Sequence, residues 1–144
     1  MPRANDITMG EYRALAELRY QIRRFLAFSE MAARDVEVES QQHQLLLVIK
    51  ALRPPDRPTI RAIAERLQIQ HNSAVELVKR SVERGLIERR IAREDRREAS
   101  LHLTVKGARV VRRLSFAHRS ELRSAAPALL QALEALVGKK RRKR

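Results

Sequence analysis

Apolar residues recur along this chain first at helical spacing, then at strand spacing, then at helical spacing again. Over 11–34, Leu15, Leu18, Ile22, Phe25 and Leu26 form one stripe of a long helix, with Arg19, Arg23 and Arg24 on its polar side. An acidic connector, 35–39, follows. Ser40 then caps a second helix in which Leu45, Leu46, Ile49 and Leu52 take core spacing. Pro54, Pro55 and Pro58 exclude a helix interior and predict a turn. Thr59 caps a third helix that buries Ile60, Ile63, Ala64 and Leu67, and 68–71 is the next turn. In a fourth helix, started by Asn72 and Ser73, the residues Ala74, Leu77 and Val78 share one face. A rotation of about 100° per residue leaves Asn72, Glu76, Lys79 and Glu83 opposite, toward solvent. Ser81 points inward, and Val82 offers partial compensation for its small size.

Gly85 sits where a helix ends in a left-handed residue. Beyond it the period falls to two. Ile87 and Ile91 line one face of a strand, and Ala99, Leu101 and Leu103 alternate along a second. The intervening Arg93-Glu94-Asp95-Arg96-Arg97 is too charged to be buried. Thr104 caps the next helix, and Gly107 in its first turn permits a neighbouring element to approach closely. That helix runs through Val110, Val111, Leu114 and Leu122 until Pro127 breaks or restarts it. A last helix, 128–137, carries Leu129, Leu130, Leu133, Leu136 and Val137, too apolar a face for a lone surface helix. The fold class is mainly α with a small β wing: a winged helix-turn-helix lobe plus N- and C-terminal helices forming a dimerisation bundle.

Charge decides among the partners such a fold could have. The net charge is +14, and six of those charges form the 139–144 tail, leaving +8 on the rest of a 144-residue chain. Such a field attracts polyanions, and beside a groove-reading helix it points to double-stranded DNA over an acidic membrane. Aromatics at 3% and four glycines suit a helix-rich chain. There is no cysteine, so disulfides, thiolate metal sites and thiol redox sensing drop out. With a polar N-terminus and no apolar run near ~20 residues, the expectation is a soluble cytoplasmic protein without a membrane partner.

Asp95-Arg96-Arg97, followed by Leu103-Thr104 and Gly107, resembles the wing signature of the MarR (multiple antibiotic resistance regulator) family, an Asp-x-Arg, a strand, then Leu-Thr-x-x-Gly. Glu83-Arg84-Gly85-Leu86-Ile87 resembles the family's end of the recognition helix, and the likeness extends over about 10–137. The resemblance implies a single domain over 1–144, with dimerisation helices at 11–34 and 105–137, a winged helix-turn-helix at 40–104 and the basic tail at 139–144. It also implies a homodimeric, DNA-binding transcriptional repressor or activator on a pseudo-palindromic operator, of a kind often released by small aromatic or phenolic ligands. In the family the second arginine of Asp-x-Arg enters the minor groove while the aspartate holds wing arginines in place. Arg97 then reads the groove, Asp95 orients it, and Arg93 and Arg96 join the interface. From composition alone the wing arginines are equally well a solvated hairpin.

His71, Asn72, Ser73, Glu76, Lys79 and Arg80 complete the expected DNA-binding set, with Lys79 and Arg80 on phosphates. Glu76 departs from the polar or basic residue usual in the family. It either accepts from a cytosine amino group or pairs along the helix with Lys79 or Arg80, and the helix pair is favoured. For an effector, Tyr12, Arg19, Arg23 and His43 suit an aromatic carboxylate or phenolate. The competing reading is that those arginines bridge the dimer. His43, His71, His102 and His118 are too scattered for a metal site, and His102 faces outward. No glycine-rich phosphate loop or nucleophile elbow supports catalysis, so neither an enzyme nor a cofactor is expected. The alternative function is a nucleoid-type architectural protein that binds DNA with little sequence preference.

Overall fold

The computed structural model describes residue 3 and residues 5–91 and 99–138. The order is α1 (Met9–Asp35), α2 (Ser40–Ala51), α3 (Ile60–Leu67), α4 (His71–Glu83), β1 (Ile87–Ile91), β2 (Ala99–Leu103) and α5 (Val105–Val137). The chain divides into two compact units: 1–29 with 117–144, and 30–116.

The 30–116 unit holds the core. Leu45 and Leu46 of α2, Ile63 of α3, Leu77 and Val78 of α4, and Leu86, Ile87 and Leu101 of the wing region are all buried together. Each such aliphatic side chain contributes about 1.5–3 kcal/mol by leaving water. β1 and β2 pair antiparallel, Ile87 opposite Leu103 and Ile91 opposite Ala99. Of the two isoleucines that line one face of β1, only Ile87 is covered. Ile91 is 68% exposed. The Leu101 N–H donates to the Pro58 carbonyl (2.9 Å), so the segment before α3 adds a backbone contact to β2 that no periodicity announced.

Of α2, α3 and α4, one helix start follows the expected capping chemistry, and two are capped one and two residues earlier than expected. Thr59 Oγ1 accepts from the Ala62 N–H (3.2 Å), as an N-cap should. α2 starts on Glu39, with Ser40 already helical, and the buried Gln42 side chain accepts from the Glu39 N–H (2.9 Å). Gln68 ends α3 in the left-handed region (φ 53°), and Gln70 is the N-cap of α4. Asn72 and Ser73 therefore lie inside the first turn rather than at its cap. Ser81 is fully buried, and its hydroxyl donates to the Leu77 carbonyl (2.8 Å), which satisfies the group that made it an awkward core residue. Val82, expected to compensate, is exposed.

Gly85 takes φ 70°, as a left-handed helix end requires. Thr104 then fastens α5 to that turn: its Oγ1 donates to the Gly85 carbonyl (2.6 Å) and accepts from the Gly107 N–H (3.0 Å). Its own N–H donates to the Leu86 carbonyl (3.1 Å). The expected break at Pro127 does not occur, and α5 continues through it. Pro127 and Arg123 are both exposed, so the carbonyl that proline cannot serve lies on the solvent side.

The other unit is built differently. Its buried residues, among those described, are Ala14, Gln21, Ser29, His118 and Ala132, all small or polar. His118 is hydrogen-bonded through Nε2 to Ser29 Oγ (2.8 Å) and meets the rings of Phe25 and Phe28 edge-on. Leu15, Ile22, Leu26, Leu122, Leu130 and Leu133 remain exposed in the single chain.

Candidate nucleic-acid interface

Burial of Ala74, Leu77, Val78 and Ser81 fixes how α4 is rotated about its axis. The consequence is an outward face carrying Asn72, Glu76, Lys79 and Glu83, with His71 and Ser73 exposed beside it. α3 and α4, joined through 68–70, form the helix-turn-helix pair. α4 is its second, outward-facing member, the one that enters a groove in this class of motif.

Arg80 departs from the expected pattern. Its Nε and Nη2 donate to Glu39 Oε2 (3.2 and 3.1 Å), so its guanidinium pairs with the connector before α2 and not with Glu76. One turn on, Arg84 Nη2 donates to the carbonyl of Glu37, a residue with φ 59°. Residues 41 positions apart in sequence meet here, which helical spacing cannot show.

On the hairpin, Glu88 stands opposite His102 and Arg90 opposite Ser100. Arg90 Nη2 is 2.6 Å from Glu88 Oε1, and Ser100 Oγ is 2.9 Å from His102 Nε2. His102, expected outward and exposed, is half-buried and hydrogen-bonded. Arg89 alternates to the other face, opposite Leu101, and is exposed. Arg93, Asp95, Arg96 and Arg97 lie outside the described residues, as does the 139–144 tail.

Of the effector set, Tyr12, Arg19 and Arg23 are exposed positions of α1 in the first unit. His43 belongs to the other unit and is buried in α2, at 3% exposure, not presented as a surface ring. No group of three or more His, Cys, Asp or Glu residues able to hold a metal ion occurs among the described residues. None of the described helices is long and apolar enough to cross a membrane.

A helix-turn-helix followed by a two-stranded hairpin defines a winged helix-turn-helix protein. Residues 37–98 match the model of the MarR family. That match covers less than half of the chain and makes the segment similar to the MarR family, whose wing signature the sequence also resembles. A curated relative, the HTH-type transcriptional regulator PetP of Rhodobacter capsulatus, is 37% identical over 67 residues, 46% of this chain and 40% of PetP. The chain thus matches less than half the length of that relative. Among solved structures, AbsC, a MarR family transcriptional regulator from Streptomyces coelicolor, superposes with TM-score 0.71 at 18% identity, covering 91% of each chain. FabT of Streptococcus pneumoniae, solved in complex with DNA, superposes with TM-score 0.69 at 22% identity, covering 81% of this chain and 82% of FabT. At those identities the two structures show the fold.

Proposed function

We propose that this protein is a sequence-specific DNA-binding transcriptional regulator of MarR type that acts in the cytoplasm as a homodimer. The observation that carries the reading is the exposed polar face of α4, Asn72, Glu76 and Lys79, held outward by the fully buried Ala74, Leu77 and Val78. Asn72, Ser73 and Glu76 are groove-reading chemistry, Lys79 is phosphate chemistry, and His71 stands at the helix start. The net charge of +14 supplies the field that brings DNA to them. Arg97, with Asp95, Arg93 and Arg96, is assigned to the wing's contact with DNA on the family resemblance.

The dimer rests on the aliphatic residues that the 1–29 and 117–144 unit leaves exposed. Two recognition helices related by a two-fold axis enter successive major grooves, about 34–36 Å apart. Selection of bound sites from a random duplex pool is therefore expected to return a pseudo-palindrome with half-sites one helical turn apart. Sites without a dyad would end the reading. Weak discrimination between selected and random duplexes at fixed salt would favour an architectural protein instead.

Two substitutions separate reading from positioning. Arg97→Ala is expected to weaken the selected site by about 1–3 kcal/mol and to relax its sequence preference. Lys79→Ala is expected to weaken all duplexes alike and to reduce the salt slope by about one unit. Equal losses on selected and random DNA for Arg97→Ala would remove its groove-reading role.

An aromatic or phenolic effector belongs to the same proposal, supported by the exposed Tyr12, Arg19 and Arg23 on α1. A ligand releases DNA only if it prefers the non-binding conformation. A small aromatic acid is expected to lower affinity for the selected site, and Arg19→Ala or Arg23→Ala is expected to abolish that response. A panel of such acids that shifts neither the melting temperature nor DNA affinity would exclude it.

A further inference from the structure

The recognition helix of a basic protein is tied to its own acidic connector. Arg80 and Arg84, four residues apart, share one flank of α4, and both turn toward 37–39. Glu39 is not a chance neighbour. Its N–H is held by the Gln42 side chain (2.9 Å), its carbonyl accepts from the His43 N–H (3.1 Å), and it sits at the start of α2, where a carboxylate is favoured by the helix dipole. Its Oε2 is thereby presented to Arg80, which closes on it with two N–H groups of the guanidinium. That is the hydrogen bonding a DNA phosphate oxygen would offer the same side chain. Both partners remain partly exposed, 41% and 51%, so the pair adds little to the fold and is accessible to a competing anion.

We propose that Glu39 acts as an internal phosphate mimic that withholds Arg80 from the DNA backbone and so lowers sequence-independent affinity. The inference rests on the DNA-binding reading above. A phosphate that takes Arg80 must displace Glu39, so a contact that would otherwise strengthen binding to every duplex is opposed within the protein. Specificity gains by the same step, because the term being suppressed carries no sequence information.

The test is a double-mutant cycle of Glu39→Gln and Arg80→Gln, with affinity for one selected and one random duplex followed over a salt series. Glutamine keeps the backbone bonds of Glu39, and thermal melts of the four proteins are expected to agree closely. Glu39→Gln is expected to raise affinity for random DNA several-fold and to steepen the salt slope by about one unit, the signature of one added phosphate contact. Arg80→Gln is expected to cost more in the Glu39→Gln background than in the wild type, and to remove the added slope. Additive effects of the two substitutions would overturn the proposal, since loss of one negative charge anywhere near DNA gives additivity. A Glu39→Gln protein that loses affinity for the selected duplex alone would also overturn it, showing that the pair only orients α4. A wild-type protein that binds no duplex overturns this inference and the function together, whereas binding with an additive cycle overturns this inference alone.

Discussion

Gly107→Ala is expected to lower stability by about 3 kcal/mol, the upper part of the range for overpacking a filled site. A Cβ at this position would lie 2.0 Å from the Leu86 carbonyl oxygen and 3.0 Å from its carbon. Both are backbone atoms, so no side-chain rotation relieves the contact. The start of α5 must move off the α4–β1 turn, and the move strains the three hydrogen bonds through which Thr104 joins Gly85, Leu86 and Gly107. At roughly 2–4 °C per kcal/mol for a chain near this size, the melting temperature should fall by about 6–12 °C. Gly10→Ala is the matched control. It lies in α1 with nothing nearer its Cβ than Thr8 Oγ1 at 3.8 Å, and alanine in a helix is neutral or mildly stabilising there. Equal melting of Gly107→Ala and wild type would show that the turn can yield.

The same residues show what a sequence can reveal of such a fold. Thr104, Gly85 and Gly107 were legible because a cap, a left-handed helix end and a close approach each demand a particular residue type at one position. Helical spacing placed Ala74, Leu77 and Val78 inside and so put Asn72, Glu76 and Lys79 on the exposed face. The errors come from terms that sequence spacing does not carry. Strand alternation put Ile91 on the same face as Ile87, but alternation gives a side and not the extent of the core beneath it. Local propensity set the breaks at Pro127 and the starts at Ser40 and Asn72, whereas the helix is set by the hydrogen bonds around it, and α5 runs on. Glu39 with Arg80 and Pro58 with Leu101 are long-range pairings, and neither partner is distinctive alone. Read within its own helix, Arg80 had only Glu76 and Glu83 as acidic neighbours.

Leu26→Glu with Leu133→Glu is expected to give monomers that bind the palindromic site at least about a hundredfold more weakly than wild type. The 1–29 and 117–144 unit buries small and polar residues. Its interior, among the described residues, is alanine, serine, glutamine and histidine, while Leu26 at 51% and Leu133 at 41% face outward with other leucines and isoleucines. A unit that leaves its largest aliphatic side chains in water gains little from folding alone, since each would contribute about 1.5–3 kcal/mol if covered. In the proposed dimer a second copy would cover them without new chemistry, and a two-fold interface would count every covered residue twice. Glutamate at these positions removes that gain and places carboxylates where burial costs several kcal/mol per ion. DNA binding falls with it, because joining two recognition helices makes the second half-site contact intramolecular, a gain of about 10²–10⁴. The winged unit keeps its own core, Leu45, Leu46, Ile63, Leu77 and Leu101, so the double variant is expected to retain helical circular dichroism. Truncation after Arg123 should act more severely, stripping α5 of its last turns and yielding aggregated or unfolded protein. Sedimentation of the double variant decides the matter: a dimer with undiminished affinity for the palindrome would place the subunit contact elsewhere, and a soluble, folded monomer from the truncation would show that the bundle does not interlock.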